Sequence, residues 1–292
     1  MNGADALDPR LNAFRDDLAD ETLRGRVEAA AYSAGARYRI GDAVVPLHRA
    51  PGHATPIDTE ILFGETVRVF DRANGWAWCQ AETDAYTGYV PVDVLREPGL
   101  PATHRVAVLA TPLYPEAELR RPAVTLLSLG SAVRIDGHQT VRDLDYALLE
   151  DGTAIVASHL VPIDQALDSD FVGIAERFLG LPYLWAGRSG RGVDCSGLLQ
   201  LALHMTGVAA LRDTDMQERS LGFAIERPDS LASLRRGDLI FWNGHVGIIS
   251  GANEILHASG YHMLVAKDPL DTVVDRLESK GLPITSIRRI SD

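Results

Sequence analysis

Between residues 38 and 164, tight-turn dipeptides recur so often that only short strands fit between them. Pro51-Gly52, Asn74-Gly75, Pro98-Gly99 and Asp151-Gly152 are the breaks, and each supplies residues suited to a sharp chain reversal. The runs they separate are β-rich: 44–47, 60–70, 77–82 and 88–91, then 104–109, 125–135, 146–149 and 153–157. Strands of this length and spacing predict small barrels or sandwiches. Both sets close in the same way, with Gly88-Tyr89-Val90-Pro91 and Asp93-Val94-Leu95 in the first, and Ala154-Ile155-Val156-Ala157 and His159-Leu160-Val161 in the second. This is a weak internal repeat whose second copy is degenerate. It predicts two five-stranded barrels side by side, of about 60 residues each.

The flanks differ in texture. Leu11, Phe14, Leu18, Leu23 and Val27 stand at helical spacings in a charged, Ala-rich opening, which predicts short amphipathic helices packed on a later domain. From residue 171 a helix over 171–179 leads through a Pro-containing loop to a second helix from 195 to about 205. Strands follow at 238–242, 245–250, 254–258 and 264–267, an α+β pattern. The expected organisation is therefore multi-domain: a helical segment over 1–37, all-β domains over 38–100 and 101–165, and an α+β domain over 166–292.

Composition narrows the function. Apolar residues at 46% and charged residues at 23% describe a folded chain. With 28 Lys+Arg against 40 Asp+Glu, the net charge of −12 disfavours nucleic acid or an anionic membrane as partner. No apolar run is long enough to span a bilayer. The start carries Asp5, Asp8, Asp16, Asp17 and Asp20 and no apolar segment, so no secretory signal is expected and a cytoplasmic location is. Cys79 and Cys195 are too few for a disulfide framework, which leaves a thiol free to react.

Gly192-Val193-Asp194-Cys195-Ser196-Gly197-Leu198-Leu199 holds that thiol. Asp194 is a good N-cap, and Leu198, Leu199, Ala202 and Met205 make an apolar helical stripe behind it. Cys195 then falls in a first helical turn, where N–H groups and the helix dipole favour an anion. The expectation is a thiol pKa lowered toward neutrality and backbone donors for an oxyanion. Small Ser196 and Gly197 keep the sulfur accessible. His245 begins a strand between glycines, and His257 lies on the next strand. The midpoint of the two is Gly251; a hairpin centred there sets them directly opposite on one face. His257 then orients His245, the base for the thiol.

Asp194-Cys195-Ser196-Gly197-Leu198, Arg236-Gly237-Asp238-Leu239-Ile240-Phe241, His245-Val246-Gly247-Ile248 and His257-Ala258-Ser259 together resemble the NlpC family of papain-like cysteine peptidases. The likeness covers about 120 residues from Phe171 onward. Pro182-Tyr183-Leu184-Trp185-Ala186-Gly187 resembles that family's Pro-Tyr-X-Trp-Gly-Gly loop, with Ala186 in place of the first glycine. The resemblance implies a papain-like catalytic domain that cuts bacterial wall peptides between γ-D-glutamate and a diamino acid. It implies Cys195 as nucleophile, His245 as general base and His257 as the orienting third member. It implies further that Tyr183 lies near the sulfur as an oxyanion donor, that Asp194 and Ser196 help bind substrate, and that Gln217 stands near the cleft. The β-rich middle resembles a tandem pair of bacterial SH3-like domains. No cofactor or metal is implied, and the partner is a peptidoglycan-derived peptide.

With no export signal expected, the substrate expected is a free L-Ala-γ-D-Glu-diamino acid peptide, as in murein recycling and in the related dipeptidyl-peptidase type. There a first SH3-like domain blocks longer stems; Asp84-Ala85-Tyr86 is the matching segment here, with Tyr86 over the substrate and an acidic group pairing its amine. An exported wall endopeptidase, an amidase or acyltransferase using the same thiol, and an idle peptide-binding protein are the alternatives. Trp76 and Trp78 at period-2 spacing are expected in a barrel core, Cys79 as a buried hydrophobe and His204 on a helix surface. Asp194, Cys195, His245 and His257 lack the tight residue pairs of a structural zinc site.

Overall fold

Short runs of buried apolar residues, broken where the backbone turns left-handed, set the form of the first unit. The computed structural model describes residues 7–228 and 230–290, and the chain divides into two units between Ile163 and Asp164. In the first unit, residues 36–96 form a seven-stranded antiparallel sheet. Its spatial order is Ile57–Leu62, Val44–His48, Thr87–Pro91, Trp76–Ala81, Thr66–Ala73, Ala36–Ile40, Leu95–Arg96. Asn74 and Gly75, at φ of 52° and 80°, join two of these strands as the two-residue turn that hairpin twist requires. The run 60–70, expected as one strand, is split between two. Gly64 sits at φ 76°, and a Cβ there would meet the Ala132 carbonyl oxygen at 1.9 Å, so only glycine fits the corner.

Residues 104–162 make a second β-structure of three small sheets around Val106, Leu113, Leu127, Val133, Leu149 and Ile155. The run 125–135 is likewise interrupted, giving strands Thr125–Ser128, Ala132–Val133 and the start of Ile135–Val141. The repeated ending read from sequence is present in both halves. Thr87–Pro91 is followed by the 3-10 turn Val92–Val94 and Leu95–Arg96, and Ala154–Val156 by the 3-10 turn Ala157–His159 and Leu160–Pro162.

The opening segment corrects an expectation. Where helices were expected over 1–37, the described residues 7–37 hold strand Leu18–Asp20, 3-10 turn Glu21–Leu23 and strand Ala31–Ser33, with Ala36 already in the large sheet. Gly25 at φ 81° interrupts any helix, and the chain's polar groups are spent on the sheet instead. Thr87 N–H donates to the Arg10 carbonyl, and Gln80 Nε2 to the Leu11 carbonyl. Ala13 packs with Phe70 and Trp78, and the Arg15 guanidinium lies 4.3 Å over the Trp78 ring. The apolar spacing there is that of a strap touching a sheet at intervals. Trp78 and Cys79 are core residues as expected, whereas Trp76 is half-buried and lines a cavity of about 590 Å3 with His48 and His53.

In the second unit, helices α1 (Phe171–Glu176), α2 (Cys195–Met205), α3 (Thr214–Ser220) and α4 (Leu270–Glu278) accompany a six-stranded antiparallel sheet. We number its strands β1 (Phe223–Ile225), β2 (Leu239–Trp242), β3 (His245–Gly251), β4 (Glu254–Ser259), β5 (Leu264–Pro269) and β6 (Ile284–Arg289), in spatial order β1-β6-β2-β3-β4-β5. Ten of the eleven residues of α2 are buried, so it is a central helix and not a surface one; it lies against α1, β3 and β4. Ile240, Trp242, Ile249 and Ile255 of the sheet pack with Leu270, Val273 and Val274 of α4. Helix α1 ends sooner than the 171–179 expected, its last residues tightening into 3-10 turns before Gly180 at φ 81°. No helix among the described residues is long and apolar enough to cross a membrane.

Candidate active site

Asp194 caps α2 as its sequence position predicts: its Oδ1 accepts the Gly197 N–H at 2.7 Å, and its carbonyl accepts the Leu198 N–H. Gly197 must be glycine, because a Cβ would stand 2.2 Å from the Gly187 carbonyl oxygen. Cys195 therefore opens the first turn, 8% exposed. Its sulfur lies 4.0 Å from the Gly244 carbonyl oxygen and accepts from the N–H groups of Val246 and Ser196. The turn into β3 thus reaches the sulfur and carries His245 between those two contacts.

The two histidines meet, though not through the expected register. The hairpin turns at Ala252-Asn253, with Asn253 at φ 53°, and a bulge interrupts the pairing between Ile249 and Gly251. Ile248 faces Leu256, so continuing the ladder sets His257 across from Gly247. A Cβ on Gly247 would be 3.6 Å from the His257 Cβ. His245 is thus a diagonal neighbour of His257 and not its direct partner. The lengths of the rings bridge the offset: His245 Nε2 and His257 Nδ1 are 2.9 Å apart. Trp242 stacks beside His245, ring centroids 5.6 Å apart.

Two charged groups complete the site, neither singled out in the sequence. Arg212, 1% exposed, donates to both oxygens of Asp194 at 2.9 and 2.7 Å and to Ser196 Oγ at 2.8 Å. A carboxylate buried at the head of an apolar helix needs a cation, and that requirement was the available signal. Asp268 on β5 accepts from His257 Nε2 at 3.1 Å. Across β4 and β5, Ala266 faces His257, so Asp268 is the diagonal residue on the same face. Extending the expected strand 264–267 by one residue would have reached it.

Electrostatics differ from the expected lowered thiol. Burial, and then the Asp194 carboxylate, push the Cys195 thiol up to about 12, against the smaller help of the Val246 and Ser196 N–H groups and Arg212. Burial, then His257 and Arg276, push His245 down to about 3. Burial also lowers His257, partly opposed by Asp268. At rest the site therefore holds a neutral thiol and neutral imidazoles. Tyr183 is pushed up to about 12, first by burial and then by the Cys195 sulfur in its ionised form and the Asp194 carboxylate, and stays a phenol beside the sulfur.

The structure brings Cys195, His245, His257, Tyr183, Asp194 and Ser196 together. Asp194 and Ser196 have their side chains engaged by Arg212, Gly197 and each other. Gln217, fully buried, donates Nε2 to the carbonyls of Ser196 and Leu211, which anchors the first turn of α2. Ala186, in the loop before the cap, is held at φ 63°, the left-handed form natural to glycine. Tyr86 belongs to the first unit, 3% exposed, its N–H donating to Asp84 Oδ1 at 3.1 Å. His204, expected on a helix surface, is half-buried, with its Nε2 3.0 Å from the Ala210 carbonyl oxygen and 3.2 Å from the Ala210 nitrogen. Cys79, fully buried and pushed up to about 12 by burial, is a core thiol.

Comparison with known proteins fits this geometry. Residues 180–276 match the NlpC/P60 family, and residues 47–95 match the bacterial dipeptidyl-peptidase Sh3 domain. A γ-D-glutamyl-L-lysine dipeptidyl-peptidase of Bacillus cereus is 28% identical over 248 residues, covering 75% of this chain and 72% of the relative. Dipeptidyl-peptidase 6 of Lysinibacillus sphaericus is 26% identical over 227 residues, 71% of this chain and 81% of its own. A crystal structure of an NlpC/P60 family protein from Bacillus cereus shares the fold, with a TM-score of 0.71 at 21% identity, covering 87% of this chain and 99% of that one.

Proposed function

We propose that this cysteine peptidase, which carries an NlpC/P60 domain and a bacterial SH3 domain, cuts free wall peptides of the form L-Ala-γ-D-Glu-diamino acid after the D-glutamate. The observation that carries the chemistry is the placement of the Cys195 sulfur against the turn that bears His245, with His257 hydrogen-bonded behind. The Cys195 thiol passes its proton to His245 as the sulfur attacks the γ-glutamyl carbonyl. N–H groups at the start of α2 and the Tyr183 hydroxyl stabilise the oxyanion. Collapse breaks the C–N bond, and His245 returns the proton to the departing diamino-acid nitrogen. His245 then takes a proton from water, which attacks the thioester, and the dipeptide leaves as Cys195 regains its proton.

The substrate reading draws on the relatives, whose names describe dipeptidyl-peptidases acting at γ-D-glutamyl-L-lysine. Release of a dipeptide implies a free amino end, and so a peptide already detached from the glycan. The proposal accordingly reads the chain as an enzyme of peptide recycling that works in the cytoplasm. The second β-structure is read as a degenerate SH3-like partner of the first, on the strength of the ending the two share.

Mass spectrometry of products tests the reading. L-Ala-γ-D-Glu-L-Lys and its meso-diaminopimelate counterpart, each free and N-acetylated, are the substrates. The expected products are L-Ala-γ-D-Glu and the diamino acid, from the free peptides alone, with none from Cys195→Ala. Equal rates on acetylated peptides would point to a wall endopeptidase, and products joined to an added amine to an acyltransferase; either result overturns the proposal.

A further inference from the structure

We propose that Asp268 is a positioning residue of this site: it sets the tautomers of both histidines so that Nδ1 of His245 is the atom that takes the thiol proton. The inference rests on the cysteine-peptidase reading of the site, and on hydrogen-bond arithmetic. An ionised carboxylate only accepts. His257 Nε2, 3.1 Å from Asp268 Oδ2, must therefore carry its hydrogen. A neutral imidazole has one N–H, so His257 Nδ1 is a lone pair, and His245 Nε2 at 2.9 Å must be the donor to it. The single hydrogen of His245 is then on Nε2, which leaves Nδ1 as acceptor. Without Asp268 the pair is free to reverse. His257 Nδ1–H then donates to His245 Nε2, the His245 hydrogen moves to Nδ1, and the proton acceptor is lost.

The surroundings hold Asp268 ionised and in place. His262 Nε2 is 3.0 Å from each of its oxygens, and Arg276 of α4 is 3.7 Å away. The His257 side chain is 1% exposed and that of Asp268 14%. On the side of α2, the charged or titratable groups around the Cys195 sulfur are Asp194, Arg212 and Tyr183. Lys267, next along β5, is engaged by Glu176 and Glu254. Asp268 is thus the anion in contact with the buried imidazole, and it favours every step in which the Cys195–His245 pair gains a proton. Thiol and imidazole each have a pKa that this charge raises. Removing the charge must lower both.

The test is the pH profile of Cys195 alkylation by iodoacetamide, read by mass spectrometry of the peptide that contains it; it needs no substrate. In Asp268→Asn, the amide oxygen turned into the place of Oδ2 still accepts from His257 but the charge is gone. The alkaline rise of the profile, where the thiol ionises, should begin about one unit lower, with the rate at neutral pH within ~10-fold of wild type. Asp268→Ala also removes the acceptor and should fall at least ~10-fold below Asp268→Asn at neutral pH. A rise that stays in place in Asp268→Asn overturns the proposal, because a merely structural role would slow the reaction without moving it. If Asp268→Ala fails to fold, Asp268→Asn alone decides. Wild-type protein that alkylates normally but leaves the tripeptide uncut would count against the substrate reading and leave this inference standing. An unmoved profile in an enzyme that cuts the tripeptide would overturn this inference alone.

Discussion

Replacing Arg212 by Met tests how the catalytic helix is held. Arg212 is 1% exposed, and its hydrogen bonds include two to Asp194, one to Ser196 Oγ and one to the Gly187 carbonyl at 3.4 Å. Met has a similar reach and no charge. In Arg212→Met the Asp194 carboxylate stays buried, with the Gly197 N–H and the Ser196 hydroxyl, among the described residues, still donating to it. Breaking a buried pair by removing one partner costs about 3–5 kcal/mol, most of it the uncompensated charge. Because the chain has more than one unit, a single unfolding midpoint is a poor measure. Hydrogen exchange of peptides spanning α2 reads the loss locally. An opening cheaper by ~3 kcal/mol speeds exchange roughly a hundredfold. Asp194→Asn added to Arg212→Met removes the orphaned charge and should restore most of the protection. Exchange in Arg212→Met within about fivefold of wild type, or no recovery in the double variant, would refute the view that this ion pair seats the nucleophile.

Three further outcomes follow from the same coordinates. Gly197→Ala forces a methyl to within 2.2 Å of the Gly187 carbonyl oxygen, so loss of turnover with a melting temperature lowered by several degrees is expected, measured by calorimetry beside the peptide assay. Ala186→Gly relieves a left-handed alanine and should raise stability by about 0.5–1 kcal/mol in urea titration, with turnover retained. The pH dependence has a definite sign. His245 binds its proton at 6.5 when unfolded and near 3 when folded, so below pH 6.5 the unfolded state takes up a proton that the folded state refuses, and stability falls with pH. Asp170 and Glu176, lowered in the fold with Arg236 hydrogen-bonded to both, extend the fall as pH drops below the range of ordinary carboxylates. The second unit should therefore melt progressively lower from pH 7 to 4; a flat profile between pH 7 and 5 would exclude the buried neutral histidine.

What the sequence alone determined about this protein is local. Turn dipeptides marked out the short strands of the first unit, because glycine and asparagine tolerate a left-handed backbone wherever they occur. Asp194, followed by a run of apolar residues and small Ser196 and Gly197, announced a capped, buried helix with a cysteine in its first turn, and α2 spans 195–205 accordingly. Strand periodicity located β2 to β5 to within a residue or two. The opening segment defeated the same reasoning, because its apolar spacing has the period of a helix while its backbone bonds go to a neighbouring sheet. Tertiary structure alone decided the charges. Whether a first-turn thiol is raised or lowered depends on burial and on Asp194, and those outweigh the few N–H groups that a sequence can count. It alone recruited Arg212 and Asp268 as well, since a buried carboxylate or imidazole selects its partner by proximity in the fold, whatever the separation along the chain.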